Sequence, residues 1–193
     1  MPASEAPTWP AMLTWRAHNA PRMESARVQL NGNRIRAFGR IIGGDCPEHP
    51  AFSASYDLVT DENGITRRLS LRTSMAAGER QMSISRDDEG VWMVDSGSRH
   101  QRSTFDGALD VDVVLSPLFN TLPIRRFGMN SMSEDIEVPV VYVKLLDLEV
   151  NPASITYSSG PDGIHVLSPV SSSSVHIDGD GFVLDYPGLA QRI

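Results

Sequence analysis

The chain has 193 residues, a single cysteine (Cys46) and a formal net charge of −7. One cysteine excludes an internal disulfide framework, and the acidic charge opposes binding to nucleic acid, whose phosphates require a basic surface. The first residues lack the basic segment and apolar run of a secretion signal, and no stretch approaches the length of a membrane span. We therefore expect a soluble cytoplasmic protein with no transmembrane segment.

Short apolar runs alternate with clusters of Gly, Asp and Asn along the whole chain. We predict strands at residues 26–30, 35–42, 52–59, 66–73, 81–85 and 91–94, and then at 109–115, 138–150, 154–157, 174–177 and 182–186. Asn31-Gly32 and Asp162-Gly163 favour tight hairpin turns, which need residues that tolerate positive φ. A helix is indicated only around 117–121. The pattern predicts an all-β protein with at most one or two minor helices.

The N-terminal segment differs from the rest. Residues 1–10 are rich in Pro and Ala, lack periodicity and are predicted to form a flexible arm. Residues 11–193 are then long enough to share one core, so we expect a single β domain.

The second half of the chain resembles the first. Tyr56 and the acidic turn 61–65 are echoed by Tyr157 and 161–164, segment 83–95 is echoed by 175–185, and 34–39 is echoed by 123–128. The offset of about ninety to a hundred residues is too long for a solenoid unit and suits a duplicated half-domain. The echo predicts pseudo-two-fold internal duplication, with half-repeats of about 25–95 and 110–186.

Motifs for metal or cofactor binding are weak. Asp87–Gly90 and Asp178–Gly181 resemble parts of a calcium loop, but the terminal glutamate is missing and each lies between two strand-like runs, so we interpret them as hairpin turns. Cys46 and His49 have a metal-ligand spacing without further ligands nearby. The sequence has no phosphate-binding loop and no nucleophile elbow. We expect no metal, no cofactor and no catalytic residue.

The densest group of polar residues lies between positions 110 and 127. Asp110 and Asp112 share one face of a strand, because side chains alternate. If 124–127 is extended, Arg125 and Arg126 point to opposite sides, and only one of them can pair with this face. We predict that Asp112 pairs with one of the two arginines and mainly stabilises the fold, while Asn120 caps neighbouring backbone groups.

The same region carries a family resemblance. The segment 116–127 (SPLFNTLPIRRF), preceded by Asp110-Val111-Asp112 and followed by 181–189 (GFVLDYPGL), resembles the bacterial putative glycolipid-binding family, and Glu24 and the Tyr56 region also fit. Ser116 and Phe119 depart from the family pattern, which usually has Thr at both positions. The resemblance implies a many-stranded antiparallel sheet with pseudo-two-fold halves, curved into an open or half barrel that shelters lipid.

These observations predict a non-catalytic protein that binds an amphiphile, such as a glycolipid, in a concave sheet. Its apolar walls would contact acyl chains, and its polar side chains would meet a head group through directional hydrogen bonds. The candidate wall residues are Trp92, Phe119, Phe127 and Phe182, and the candidate head-group residues are Asp112, Asn120, Arg125 and Arg126.

Two alternatives remain open at the level of sequence. The apolar sheet could instead form a homodimer interface, with segment 116–127 serving as a structural corner. The protein could also be an enzyme acting on a lipid or sugar, in which Asp110 and Asp112 serve as acid and base about 7 Å apart along one strand.

Overall fold

The computed structural model describes residues 8–129 and 134–193, and it is built almost entirely of strands. The strands are β1 (Ala11–Ala17), β2 (Arg22–Asn31), β3 (Arg34–Gly43), β4 (Phe52–Thr60), β5 (Thr66–Met75), β6 (Gly78–Arg86), β7 (Trp92–Asp95), β8 (His100–Ser103), β9 (Asp110–Val113), β10 (Ile136–Lys144), β11 (Glu149–Gly160), β12 (Gly163–Leu167), β13 (Ser172–Ile177), β14 (Val183–Tyr186) and β15 (Ala190–Arg192). Helical structure in the described residues comprises α1 (Thr121–Phe127) and 3-10 turns at Phe105–Gly107 and Leu118–Asn120. In this part of the chain, no helix combines the length and apolar character needed to cross a bilayer.

All fifteen strands belong to one open sheet. The strands β3 to β8 are six consecutive antiparallel neighbours, and β10 to β15 are another six. β1 pairs with β2 on one side and with β15 on the other, which joins the two runs, while β9 pairs with β10 in parallel at the far edge. The predicted all-β fold with an open, mostly antiparallel sheet is confirmed.

The sheet curls over two apolar cores. In β3 and β4 buried and more exposed residues alternate, so one face of each strand points into a core and the other faces outward. β10 is buried on both faces: Val141 and Val143 belong to the core of the first half, and Val140 and Tyr142 to that of the second. Because Thr73 Oγ1 on β5 donates a 2.9 Å hydrogen bond to the Leu145 carbonyl, the segment after β10 lies against the inner face of β5.

The acidic segments are strand-connecting turns. The Oδ1 atoms of Asp61, Asp87 and Asp178 each accept the N–H groups of the second and fourth residues that follow, at 2.8–3.0 Å. The third following residue is a glycine with φ between 80° and 85°, a conformation that costs other residues strain. The interpretation of Asp87–Gly90 and Asp178–Gly181 as hairpin turns is confirmed. Within residues 8–129 and 134–193, no cluster of three or more His, Cys, Asp or Glu side chains is arranged to hold a metal.

The two predicted half-repeats are alike in structure at some positions and differ at others. Tyr56 on β4 and Tyr157 on β11 are both buried, and each lies on a strand that is followed by three consecutive antiparallel neighbours. The segments 34–39 and 123–128, which echo each other in sequence, do not correspond in structure, because 34–39 lies in β3 and 123–128 covers the end of α1 and Gly128. Duplication of the two halves, 25–95 and 110–186, stays a prediction.

The N-terminal arm is described only from Thr8 onward, so residues 1–7 lie outside the described residues. The Trp9 ring packs against Phe182, with the ring centroids 4.9 Å apart. At Trp9 the chain is therefore packed against the core, and a flexible arm at residues 1–10 stays a prediction.

Candidate functional site

The segment expected to be extended at 124–127 is helical. The 3-10 turn Leu118–Asn120 continues directly into α1. Pro123 is compatible with this helix because it lies in the first turn, where its missing N–H is not needed. Gly128, with φ 60°, ends the helix in the left-handed conformation. Leu122 packs in the first core and Ile124 in the second, so the helix fills the space between the two cores.

Both arginines of this helix are engaged in the fold. Arg126 donates a hydrogen bond to Asp110 Oδ2, and Asp110 is fully buried. The predicted pairing of Asp112 with an arginine is therefore wrong: the helical geometry presents Arg126 to Asp110 instead. Arg125 donates to the carbonyl groups of Gly32, at 3.1 Å, and of Asp180, so it ties the turn between β2 and β3 to the turn before β14.

Asp112 is left without a partner. Within the described residues its carboxylate makes no hydrogen bond or ion pair, although the residue is 8 % exposed and lines a cavity. Burial, reinforced by the negative charge of Asp110, raises the pKa of Asp112 to about 7. Near neutral pH this carboxyl group therefore populates both its charged and its neutral form.

A second buried carboxylate, that of Glu24, lies beside the turn that follows β9. Glu24 Oε1 on β2 accepts hydrogen bonds from Tyr56 Oη at 2.5 Å and from Ser116 Oγ at 2.8 Å, while Glu24 Oε2 has no partner in the described residues. Burial raises the pKa of Glu24 to about 7, although both hydrogen bonds lower it. Glu24 thus fastens the turn after β9 to the first half of the sheet.

Two adjoining cavities open beside that turn, with volumes of about 410 and 530 Å³. They share Val114 and Leu115 on one side and Gly188 and Leu189 on the other, and we call the combined depression the groove. Leu115 has φ 79°, an unfavourable conformation for a residue with a Cβ, and it lines both cavities. Because Val114, Leu115 and Leu189 are the side chains that both cavities share, the middle of the groove is apolar.

The smaller cavity is the polar end of the groove. Asp112 on β9 is the register neighbour of Tyr142 on β10, and both line this cavity together with Asn120 and Tyr186. Asn120 Oδ1 accepts a 3.2 Å hydrogen bond from Tyr157 Oη, and it makes no side-chain cap to the helix. Burial raises the pKa of Tyr142 to about 12, with Asp112 adding to the shift, so this phenol keeps its proton and can donate it to an acceptor.

The larger cavity forms the other end of the groove, beyond the residues that both cavities share. Leu145 and Leu146, in the connection between β10 and β11, extend the apolar lining. Arg22, His49 and Lys144 also border it. His49 Nδ1 is 3.1 Å from the Pro50 carbonyl, which makes Nδ1 the donor and leaves the buried Nε2 without a partner among the described residues.

The aromatic residues predicted to line a lipid site lie elsewhere. Trp92, Phe119 and Phe182 are at most 1 % exposed and belong to the first core, where Trp92 Nε1 donates to the Ala108 carbonyl at 2.9 Å. Their apolar surface is already covered by protein. Phe127 is 38 % exposed at the end of α1, under the Arg126 guanidinium at 4.4 Å from the ring centroid, and it borders neither cavity. Of the eight predicted site residues, the groove contains Asp112 and Asn120.

Sequence reasoning missed the residues that complete the groove. Tyr142 and Leu145 read as ordinary strand positions, and nothing local marks them. Tyr186 and Gly188 had a signal, because they belong to the Asp185–Gly188 motif (DYPG) that carries the family resemblance. In the structure Tyr186, Pro187 and Gly188 of this motif line the smaller cavity, and so do Ser116 and Asn120 of the central segment.

The fold and the groove define an all-β protein with one open, mostly antiparallel sheet and a groove that has a polar end and an apolar middle. A family model described as "putative glycolipid-binding" matches residues 12–192, so the chain belongs to this family. The crystal structure of a DUF1089 family protein from Pseudomonas aeruginosa is similar, with a TM-score of 0.73 and 24 % identity over 98 % of this chain and 100 % of that one. A comparison with curated proteins gives no match.

Proposed function

We propose that the groove binds an amphiphile, and that a glycolipid is the class of ligand that suits it best. The observation that carries the proposal is the convergence of the two sequence segments of the family resemblance on one groove. One end of this groove presents hydrogen-bonding side chains, and its middle presents aliphatic ones. A ligand that fills it needs a polar head and an apolar chain.

The polar end is suited to hydroxyl groups. Asp112 has a carboxylate without a partner among the described residues, so it can accept hydrogen bonds from a sugar ring, and the ionised form makes the stronger bonds. The phenols of Tyr142 and Tyr186 lie in the same cavity, and Tyr186 Oη shares a 3.1 Å hydrogen bond with Ser171 Oγ. Buried polar groups that lack partners cost free energy, and a ligand that supplies partners recovers it.

The apolar middle is suited to an alkyl or acyl chain. Val114, Leu115 and Leu189 are half-buried, so they keep surface that a ligand can cover. Each methylene removed from water contributes about 0.8 kcal/mol. A chain of several carbons lying between the 113–116 turn and the 187–189 turn therefore supplies most of the binding free energy.

The groove is better suited to non-catalytic binding than to hydrolysis, which would need a pair of carboxylates. Asp110, the second carboxylate of such a pair, is fully buried and engaged with Arg126. It therefore has no path to a substrate in the groove. Asp112 alone provides a hydrogen-bonding group without the acid–base partner that glycoside hydrolysis uses.

The test is a fluorescence titration with a dansyl-labelled alkyl glucoside. We expect saturable binding with one ligand per chain and a blue-shifted dansyl emission. Replacing half-buried Leu189 with Arg places a charge in the apolar middle, and Leu189→Arg should weaken binding at least about tenfold.

The matched control is Met93→Arg. Met93 is 43 % exposed on β7, in the other half of the sheet and outside both cavities, so the same kind of substitution there should leave the affinity unchanged. Thermal denaturation shows whether both variants fold. Equal affinity of Leu189→Arg and Met93→Arg for the probe, or no saturable binding by the wild type, would overturn the proposal.

A further inference from the structure

The outward face of the first five strands is rich in arginine. In each strand the residues of the opposite face are buried in the first core, so alternation places the arginines outward. We call this surface the outer face; its arginines are Arg16, Arg27, Arg34, Arg36, Arg40, Arg68 and Arg72. The outer face is separate from the groove. Arg22 of β2 borders the groove, but its side chain points to the inner side of the sheet.

Few carboxylates balance these charges. Arg68 lies 3.6 Å from the half-buried Asp57, and Arg72 lies 3.6 Å from Glu79 in a solvent-exposed pair that contributes little. Across residues 8–129 and 134–193, no carboxylate lies within ion-pair distance of the other five arginines. The whole chain has a net charge of −7, so the rest of the molecule is acidic while this face is basic. Such a face attracts a polyanionic surface.

Large apolar side chains lie among the arginines. Along β3 the outward residues are Arg34, Arg36, Phe38, Arg40 and Ile42, and both Phe38 and Ile42 are 51 % exposed. The register places Met23 beside Ile42, while Met12 on β1 is 63 % exposed. Water-exposed apolar groups of this size, surrounded by cationic ones, are an unfavourable arrangement for a surface that meets only solvent.

We propose that the outer face docks on the surface of an anionic phospholipid bilayer. The guanidinium groups contact lipid phosphates, while Phe38, Ile42 and Met12 enter the boundary between head groups and acyl chains, as apolar side chains of membrane-surface proteins do. A single aromatic side chain provides no stacking platform for successive bases, so a membrane fits this face better than a single-stranded nucleic acid. Docking does not depend on the groove, and it places the protein where amphiphiles are found.

The test is cosedimentation with lipid vesicles, without any ligand for the groove. We expect the protein to bind vesicles of phosphatidylcholine and phosphatidylglycerol (7:3) and not vesicles of phosphatidylcholine alone, with binding that weakens as salt is raised. One basic side chain near an anionic bilayer contributes roughly a fivefold factor to partitioning. The double variant Arg36→Glu/Arg40→Glu should therefore lower the partition coefficient at least about 25-fold.

The matched control is Arg99→Glu/Arg102→Glu, which makes the same change in net charge. Arg102 is on β8, five strands from β3 and thus about 24 Å away across the sheet, and Arg99 is in the turn that precedes it. This variant should keep partitioning within about twofold of the wild type. An equal loss in both double variants would show that net charge alone governs binding, and the proposal would fail.

The apolar contribution is tested by Phe38→Ala, which should lower partitioning at least about threefold in the same vesicles. An unchanged partition coefficient for this exposed position would contradict insertion. A wild-type protein that ignores anionic vesicles and instead binds a 20-nucleotide RNA would assign the outer face to nucleic acid and overturn the proposal. Thermal denaturation of each variant confirms that it is folded.

Discussion

Ser116 Oγ donates a 2.8 Å hydrogen bond to Glu24 Oε1, and the two residues are 92 positions apart in the chain. Ser116 closes the turn that carries Leu115, while Glu24 belongs to β2. This bond, together with that of Tyr56 Oη to the same oxygen, fixes one wall of the groove to the core of the first half of the sheet. The position of the groove therefore depends on a buried carboxylate that lines neither cavity.

The first prediction concerns the pH dependence of stability at Glu24. Its pKa is raised from 4.5 to about 7, so its contribution is fully present below about pH 4.5 and is lost as the pH rises through 7. The free energy of unfolding of the wild type should fall between pH 4.5 and 8, with a share on the order of 3 kcal/mol from this group. Glu24→Gln should show a smaller fall in urea unfolding series. Parallel curves for the two proteins would contradict the assignment.

The second prediction separates the two aspartates of β9. Asp110→Ala strands the buried guanidinium of Arg126 and should cost on the order of 3 to 5 kcal/mol. Asp112→Asn removes a carboxylate whose burial favours the neutral form, so at pH 8 it should leave the free energy of unfolding unchanged or raise it. Urea unfolding at pH 8 measures both. A larger loss for Asp112→Asn than for Asp110→Ala would reverse the roles assigned here.

The third prediction concerns ligand affinity at the polar end. Ionised Asp112 accepts stronger hydrogen bonds from hydroxyl groups than the neutral form does, and its pKa is about 7. The affinity for the dansyl-labelled alkyl glucoside should rise roughly three- to tenfold between pH 5.5 and 8.5 in the wild type. In Asp112→Asn it should stay flat across the same range. A variant that keeps the full pH dependence would place the titrating group elsewhere.

The fourth prediction concerns internal duplication. The strands β4–β7 should superpose on β11–β14, with Tyr56 over Tyr157 and the turn after Asp87 over the turn after Asp178. Both sets are four consecutive antiparallel neighbours, which is the topology that duplication requires. A least-squares superposition of the Cα atoms tests it. Opposite sheet curvature in the two sets, or a shift that misaligns the two tyrosines, would count against a common origin.

Local patterns were enough to predict most of the sheet. Alternation and β-branched residues marked β3, β4 and β5 to within about two residues, and Asn31-Gly32 marked its hairpin, because side-chain period and turn chemistry are properties of neighbouring residues. The weak strand β8 (HQRS) lacks the apolar alternation that would reveal it. Helix α1 was missed because its seven residues, about two turns, are too few for a helical period to be visible.

The candidate site was less predictable because its geometry depends on long-range packing. Asp112 and Asn120 were found from the density of polar residues in one segment. Arg126 pairs with Asp110, and not with Asp112 as predicted, because the segment is helical. Phe119 and Phe182 are buried because the sheet curls over α1. Leu115, Leu145 and Leu189 line one cavity although they lie in three different connections, an arrangement that no local signal predicts.

The most direct test of the central claim is photocrosslinking with an alkyl glucoside that carries a diazirine on its chain. After irradiation of the wild-type protein, peptide mass spectrometry locates the labelled residues. The groove predicts labels at residues 113–116 and 187–189, with competition by unlabelled alkyl glucoside and loss of labelling in Leu189→Arg. Saturable labels confined to the outer face of β1–β5, or labelling that excess unlabelled ligand does not reduce, would contradict binding in the groove.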